Sequence, residues 1–230
     1  MLRWPGVAGD DETVPESASS PVRKLWIEGA AGRLEARVRV ASAPRGAAVV
    51  AHPHPLHGGT LHNPVIFHSE RELHRLGLTT IRFNFRGVGE SDGEHDEGRG
   101  EVEDVAAAAD WVMGIAPGVP LLAVGYSFGS WCSVRYATND TAVAGVIALG
   151  LPVRLYPFDE IDRLGRPLTV VHGTEDEFGS PDEVRAVLER ATPPGELHLI
   201  EGAEHLFPKQ APAAAAAVAR AAGNIILKLT

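Results

Sequence analysis

Two short segments near the start of the chain carry the hydrophobic pattern of β-strands. Residues 22–28 and 34–40 flank a turn at residues 29–32, and apolar residues alternate with charged ones in the second segment. Alternation with a period of two is typical of a strand that buries one face. The pattern therefore predicts a pair of strands joined by a glycine-containing turn.

From Gly46 onward, the apolar runs are short and no longer alternate. Strands with this pattern are covered on both faces, as in a parallel sheet. These segments, together with a last strand near the C-terminus, are residues 47–51, 79–85, 121–125, 143–150, 168–172 and 197–201.

Helical patterns fill several of the intervals between these strands. The helix signals are, in chain order, Asn63-Pro64 with Gly77 as a stop, residues 101–113, the capping box of Ser180 and Glu183, and the alanine-rich residues 211–222. Two antiparallel strands followed by alternating strands and helices predict an α/β fold. We expect a three-layer sandwich with a mostly parallel sheet and helices on both faces.

The two ends of the chain carry separate expectations. Residues 1–20 lack the basic start and continuous apolar stretch of a secretion signal, so we interpret them as a mobile polar tail. Residues 21–230 then form one domain, which is ordinary for an α/β chain of 230 residues. The pattern leaves open whether residues 224–230 extend the sheet or pack against a partner, such as a second copy in a homodimer.

Composition and charge exclude several classes of function. The formal net charge of −9 repels phosphate backbones and anionic lipids, and no apolar run has the length of a membrane span. The single cysteine, Cys132, excludes an intrachain disulfide and a cysteine-based zinc site, and we expect it to be a small buried hydrophobe. We therefore expect a cytoplasmic protein without nucleic-acid or membrane partners.

The segment Gly125-Tyr126-Ser127-Phe128-Gly129 follows an apolar strand and precedes a helix-like segment. A strand-to-helix turn this sharp strains the serine backbone and requires small residues two positions before and after it. The motif therefore predicts Ser127 as a nucleophile held above the sheet, and the competing interpretation is a glycine-flanked structural turn.

A serine hydroxyl needs a base to remove its proton and an acid to orient that base. Asp176 follows the strand at residues 168–172, and His205 follows the one at residues 197–201, so serine, acid and histidine come in the order this architecture uses. We predict Asp176 as the acid, with Glu175 and Glu177 as alternatives, and His205 as the base.

Two backbone N–H groups are needed to stabilise the oxyanion of the reaction. The amide of Phe128, directly after the serine, supplies one. The other comes from the loop after residues 47–51, where prolines at 53 and 55 have no N–H. His54 or Leu56 must donate, and His54 is the better choice by its position.

Two clusters in the chain suggest sites of another kind. The histidines at positions 52, 54, 57 and 62 suggest a metal site, but the prolines between them stiffen the loop in an extended path. We therefore expect these histidines to have structural or pocket-lining roles, with no metal and no cofactor. Eight acids lie between Glu90 and Asp104. We interpret them as a solvated loop and helix start, since the calcium-loop pattern is missing. If they border the cleft, anionic substrates are disfavoured.

A wider set of motifs resembles a known family. His52-Pro53, Gly58-Gly59, His62-Asn63 and the run from Arg82 to Ser91 (RFNFRGVGES) are similar to those of small bacterial α/β-hydrolases related to dienelactone-hydrolase-like enzymes, over about residues 45–207. The resemblance implies an esterase-like serine hydrolase with Ser127, Asp176 and His205 as its triad.

This chain departs from that family at two positions. Serine replaces the cysteine nucleophile of dienelactone hydrolases, so their cyclic substrate does not carry over. Tyr126 stands where the group often has phenylalanine, a change expected to alter packing more than chemistry.

Many relatives insert a lid after the sixth strand, whereas only residues 151–166 are present here. We therefore expect no cap domain and an open cleft suited to short-acyl esters. Thioesters and small amides fit the same machinery, and a catalytically idle scaffold protein is the alternative from another class.

Overall fold

The computed structural model describes residues 21–229, and the predicted N-terminal tail lies outside them. Within this range the chain forms eight strands and five α-helices. In chain order they are β1 Arg23–Gly29, β2 Gly32–Arg39, β3 Gly46–Ala51, α1 Pro64–Arg75, β4 Leu78–Phe83, α2 Arg99–Ile115, β5 Leu121–Tyr126, α3 Phe128–Asn139, β6 Val143–Leu149, β7 Leu168–Gly173, α4 Pro181–Arg190, β8 Glu196–Ile200 and α5 Ala211–Leu227.

All eight strands join one sheet in the order β1-β2-β4-β3-β5-β6-β7-β8. β1 pairs antiparallel with β2, and β2 pairs antiparallel with β4, while the pairs from β4 to β8 are parallel. The prediction of antiparallel N-terminal strands followed by a parallel sheet is confirmed. The carboxyl ends of β5, β7 and β8 therefore lie along one edge of the sheet, which is where these folds place ligands.

Two hydrophobic cores cover the two faces of the sheet. On β3, Ala47, Val49 and Ala51 belong to one core, and Ala48 and Val50 belong to the other. Helices α2, α3 and α4 contribute to the first core, and helices α1 and α5 to the second. The three-layer sandwich predicted from unalternating apolar runs is thereby confirmed, since each such strand buries side chains on both sides.

Local capping explains where two of the helices begin. The side-chain oxygen of Asn63 accepts hydrogen bonds from the amides of Val65 and Ile66, and Pro64 occupies the first helical position. Ser180 and Glu183 form the reciprocal capping box at the start of α4. Both helix starts were predicted from the sequence.

The prediction that β2 has one solvent-facing side is wrong. Glu35 and Arg39, assigned to that side, are buried. The side-chain amide of Asn84 donates to the carboxylate of Glu35 at 2.8 Å, and the guanidinium of Arg39 donates to the carboxylate of Glu70 at 3.2 Å. β2 lies inside the sheet, where the loop after β4 supplies the partner of Glu35 and helix α1 supplies that of Arg39, so both charged residues are buried with partners that are distant in sequence.

Residues 224–227 continue helix α5, so the alternative that this segment extends the sheet is wrong. Ile225 and Ile226 pack into the second core, whereas Leu227 is 66% exposed. Whether the segment packs against a second copy stays a prediction.

The connection between β6 and β7 is short. Within residues 150–167 the regular secondary structure is one 3-10 turn, Ile161–Arg163, so the predicted absence of a cap domain is confirmed. None of the helices in residues 21–229 combines the length and hydrophobicity that a membrane span requires.

Candidate active site

Ser127 forms the sharp turn between β5 and α3. Its backbone angles, φ 54° and ψ −119°, lie outside the regions that non-glycine residues ordinarily adopt. A Cβ at Gly125 would lie 2.1 Å from the carbonyl oxygen of Gly129, and a Cβ at Gly129 would lie 2.5 Å from that of Ala51. Both glycines are therefore required by close backbone approach, and together they allow the strained serine.

Three predicted residues meet above this turn. The Nε2 atom of His205 lies 2.8 Å from Oγ of Ser127, and its Nδ1 atom lies 2.8 Å from Oδ2 of Asp176. All three residues are at least nine-tenths buried, with Ser127 the most exposed at 8%. A continuous hydrogen-bonded chain from hydroxyl to imidazole to carboxylate is the arrangement that lets a histidine take a serine proton.

The loop after β7 holds Asp176 in this chain. The backbone amide of Phe178 donates to Oδ1 at 2.9 Å, which leaves Oδ2 for His205. The alternative acids occupy other positions, since Glu175 and Glu177 are exposed and a carboxylate oxygen of Glu177 lies 3.4 Å from the backbone amide of His205. Of the three acids, Asp176 alone contacts the imidazole.

The loops that carry the acid and the histidine are joined by backbone hydrogen bonds. The amide of Thr174 donates to the carbonyl of Ile200 at 3.1 Å, and that of Glu175 donates to the carbonyl of Ala203 at 3.0 Å. A Cβ at Gly173 would lie 2.1 Å from the same carbonyl oxygen of Ala203. This contact fixes the separation of Asp176 and His205.

Tyr126 anchors His205 from below. Its buried hydroxyl donates to the backbone carbonyl of His205 at 2.7 Å, and burial raises the pKa of this phenol well above its ordinary value. The ring of Phe178 meets the imidazole edge-on, with ring centroids 4.6 Å apart. The expectation that tyrosine at position 126 alters packing more than chemistry stays a prediction, and the structure adds a hydrogen bond from its hydroxyl to the backbone of the histidine.

A second imidazole lies behind the acid. His172 is fully buried, its Nε2 lies 2.7 Å from the carbonyl oxygen of Gly179, and its Nδ1 lies 3.6 Å from Oδ2 of Asp176. Burial lowers its pKa, an effect that the negative charge of Asp176 opposes. Sequence reasoning missed this residue; its position at the end of β7, four residues before the acid, was the available signal.

The backbone amide of Phe128 directly follows Ser127, and that of His54 belongs to the loop after β3. Neither has a hydrogen-bond acceptor within residues 21–229, whereas the amide of Leu56 donates to Nδ1 of His54 at 3.2 Å. The rings of His54 and Phe128 are in contact, with centroids 4.9 Å apart. Of the two predicted alternatives for the second donor, His54 alone keeps its N–H available.

The histidines of the loop after β3 have separate environments. His52 is fully buried, His54 is half-buried and His57 is exposed. Burial, together with the neighbouring His57 and His95, lowers the pKa of His54 to about 4. Among the described residues, no group of three or more histidine, cysteine or acidic side chains is arranged to hold a metal ion.

The acidic segment after β4 is less solvated than expected. Glu101 and Asp104 are fully buried: Glu101 accepts from the amides of Asp96 and Gly98, and Asp104 pairs with Arg86. These carboxylates begin α2 and fix the loop in front of it. Both positions lie in the first turns of α2, which is the helix start to which the sequence interpretation assigned them. Their burial against backbone amides and an arginine of the preceding loop was not predicted.

Three half-buried rings from different loops contact Phe128, the residue after the serine, or the histidine. His54 and Tyr156 contact Phe128, with centroids 4.9 and 5.8 Å apart, and Phe178 contacts His205. Cys132, on the helix behind the serine, is fully buried, and burial raises the pKa of its thiol well above the ordinary value. The rim of the site is thus aromatic, and the cysteine lies outside it.

Comparison with known proteins places this geometry in context. Residues 44–222 match the family model described as alpha/beta hydrolase domain. The structure of XC6422 from Xanthomonas campestris, described as an α/β serine hydrolase without a lid, is 29% identical, with a TM-score of 0.81 over 92% of this chain and 97% of that one.

Two further proteins are similar over most of their length. An α/β serine hydrolase homologue from Coxiella burnetii is 32% identical, with a TM-score of 0.78 over 89% of this chain and 99% of that one. The uncharacterized protein RP471 of Rickettsia prowazekii is 32% identical over 194 residues, which cover 80% of this chain and 82% of that protein.

Proposed function

The chain belongs to the alpha/beta hydrolase domain family, as its motifs predicted, and on that premise we propose that it is a serine esterase that cleaves short-acyl esters. The observation that carries the proposal is the unbroken chain of 2.8 Å contacts from Ser127 through His205 to Asp176. The substrate is a small-molecule ester, and the reaction passes through an acyl-enzyme.

In the first half of the reaction, Oγ of Ser127 attacks the ester carbonyl carbon while Nε2 of His205 takes the hydroxyl proton. Asp176 holds Nδ1–H of the imidazole and stabilises the positive charge that forms on it. The tetrahedral intermediate then collapses, the C–O bond to the alcohol breaks, and His205 returns the proton to the leaving oxygen.

In the second half, His205 removes a proton from water, and the water oxygen attacks the acyl-enzyme carbonyl. The tetrahedral intermediate collapses, the bond between the acyl carbon and Oγ of Ser127 breaks, and His205 returns the proton to Oγ as the carboxylic acid leaves. In both halves negative charge develops on the carbonyl oxygen. We assign the amides of Phe128 and His54 to that oxygen, since neither has an internal acceptor in the described part of the chain and the two side chains are in contact.

The preference for short acyl groups rests on the short connection after β6. Because residues 150–167 form no helical cover, a long acyl chain has little apolar surface to bury. The half-buried rings of His54, Tyr156 and Phe178 provide contact for a small apolar group. Thioesters and small amides share the chemistry and belong in the same assay panel.

The test combines active-site labelling with turnover. A fluorophosphonate probe is expected to label the wild type at Ser127 and to leave Ser127→Ala and His205→Ala unlabelled. p-Nitrophenyl esters of graded length should show kcat/KM falling from acetate and butyrate toward long chains. A wild type that neither labels nor turns over any ester, thioester or amide would identify a catalytically idle scaffold.

A further inference from the structure

His52 is a fully buried histidine that takes no part in the proposed triad. It follows β3 directly and begins the loop that carries the amide of His54. Its ring meets that of Phe85 edge-on, with centroids 4.7 Å apart. A buried imidazole is costly unless both ring nitrogens have partners, so its two hydrogen bonds decide what it does.

Both bonds of the ring go to backbone groups, and together they fix its tautomer. The amide of Phe85 donates to Nε2 at 3.1 Å, so Nε2 carries no proton. Nδ1 lies 2.6 Å from the carbonyl oxygen of Pro53, which can only accept, so Nδ1 carries the proton. The ring is neutral in this arrangement, in agreement with the burial that lowers its pKa to about 3.

The carbonyl that His52 holds belongs to the same peptide unit as the amide of His54. The peptide bond between Pro53 and His54 is trans, because within residues 21–229 the cis peptide bond is the one between Thr192 and Pro193. In a planar trans peptide the C=O and the N–H point in opposite directions. A ring that fixes the carbonyl oxygen of Pro53 therefore also fixes the direction of the His54 N–H, away from the ring.

Two glycines press on the same stretch of backbone. A Cβ at Gly59 would lie 2.1 Å from the carbonyl oxygen of Pro53, and its amide donates to the carbonyl of His54 at 3.0 Å. On the other side, a Cβ at Gly129 would lie 2.5 Å from the carbonyl oxygen of His52. The carbonyl of Pro53 is thus held between the His52 ring and Gly59, while the preceding peptide unit packs against the turn that carries Ser127.

We propose that His52 is a positioning residue that aims the amide of His54 at the oxyanion, through its hydrogen bond to the carbonyl of Pro53. This inference rests on the esterase function proposed above and adds a determinant of its rate. The ring touches no reacting atom. It keeps an N–H donor in place before the negative charge forms, which is the condition under which such donors lower the barrier.

A matched pair of variants separates the two bonds of the ring. The amide nitrogen of asparagine is as many bonds from Cα as Nδ1, so His52→Asn can still donate to Pro53. The terminal amide of glutamine is as many bonds from Cα as Nε2. His52→Gln can therefore still accept a hydrogen bond from the amide of Phe85, but it loses the bond to the carbonyl of Pro53. Both variants remove one buried hydrogen bond, and similar melting temperatures are expected.

The expected result is a difference in kcat between the two variants. His52→Gln should lower kcat by about tenfold to a hundredfold, and KM should change by less than about threefold. This decrease in kcat is no larger than the one expected when a whole oxyanion donor is removed. His52→Asn should stay within about threefold of the wild type. An alkyl boronic acid, which forms a tetrahedral adduct with the serine, should lose affinity in the glutamine variant in parallel with kcat.

Equal kcat in the two folded variants would overturn the inference and leave a structural role for His52. If either variant fails to fold, the wild type supplies the readout by NMR. Boronate binding should move the His54 amide proton downfield, and an unchanged resonance would count against the inference. Absence of labelling and turnover in the wild type would instead count against the esterase proposal itself.

Discussion

The hydroxyl of Tyr126 donates a 2.7 Å hydrogen bond to the backbone carbonyl of His205. Tyr126 is the last residue of β5, directly before the proposed nucleophile, so one side chain ties the strand that carries Ser127 to the loop that carries the proposed base. Gly150 closes the other side, because a Cβ there would lie 3.2 Å from Cε1 of the imidazole. The histidine is therefore held through its backbone as well as through its ring.

Replacing Tyr126 with phenylalanine should weaken both stability and catalysis. The substitution leaves a buried carbonyl without its donor, so we expect the free energy of unfolding to fall by about 1–2 kcal/mol. Freed from this bond, His205 should spend less time against Ser127, and kcat should fall about threefold to tenfold. Urea unfolding and ester turnover measure the two effects.

Tyr136→Phe is the matched control. Its hydroxyl donates to Asp140 at 2.9 Å at the far end of α3, so its loss should affect stability without changing kcat. An unchanged kcat in Tyr126→Phe would show that the bond to His205 serves stability alone.

The fold and the proximity of the three candidate residues could be predicted because their signals are local or depend on chain order. Unalternating apolar runs predict doubly covered strands, and the glycines at 125 and 129 predict the sharp turn at Ser127. Asp176 and His205 follow from their place after successive strands, since parallel strands bring their carboxyl ends to one edge.

The features that the sequence did not predict depend on partners distant in the chain. Tyr126 reaches a carbonyl 79 positions away, and Glu35 meets an amide 49 positions away. A period-two pattern places Glu35 on a solvent-facing side because it contains no information about the loop that later covers it. In the sequence pattern Glu101 looks like a surface acid for the same reason. In the structure, amides of the loop before α2 donate to it and bury it.

Asp176 should prove to be the acid of the triad, and Glu177 should not. Asp176→Asn should lower kcat by about 10⁴, as loss of the carboxylate does in serine–histidine–aspartate triads, because the amide cannot keep the imidazole in its productive tautomer. Glu177→Gln should stay within about threefold of the wild type, since this side chain reaches only the backbone amide of His205. A larger loss in Glu177→Gln than in Asp176→Asn would reverse the assignment.

Glu101 should matter more for stability than Glu103, an exposed acid of the same segment. It accepts from the amides of Gly98 at 2.7 Å and Asp96 at 2.9 Å while fully buried. Glu101→Ala should lower the free energy of unfolding by about 2–3 kcal/mol, because one buried and one partly buried donor lose their acceptor. Glu103→Ala, at a side chain that is 61% exposed, is the control and should cost less than about 1 kcal/mol. Equal losses in urea unfolding would argue against the buried cap.

Negatively charged esters should be inferior substrates. Glu175, Glu177 and Glu204 are exposed on the two loops that carry Asp176 and His205, and they make no ion pair within residues 21–229. A carboxylate-bearing ester should show kcat/KM about tenfold below that of a matched neutral ester at low salt, and the gap should narrow as salt screens the charges. Glu204→Gln should narrow it as well. Faster turnover of the acidic ester would contradict the prediction.

The low pKa of His52 predicts that the protein loses stability in acid, and that part of this loss is due to His52. Burial lowers this pKa from 6.5 to about 3, so between these values the unfolded chain binds a proton that the folded chain does not. Stability contributed by the neutral ring is therefore complete above about pH 6.5 and is lost as the pH falls toward 3, by at most about 1.4 kcal/mol per pH unit. His52→Asn lacks this titration while sharing the other histidines of the chain. The difference in unfolding free energy between wild type and variant should thus shrink by about 2–3 kcal/mol from pH 6.5 to 4.5. A difference in urea unfolding that stays constant over this range would mean that His52 is protonated in the folded protein, and the neutral ring that holds Pro53 would have to be abandoned.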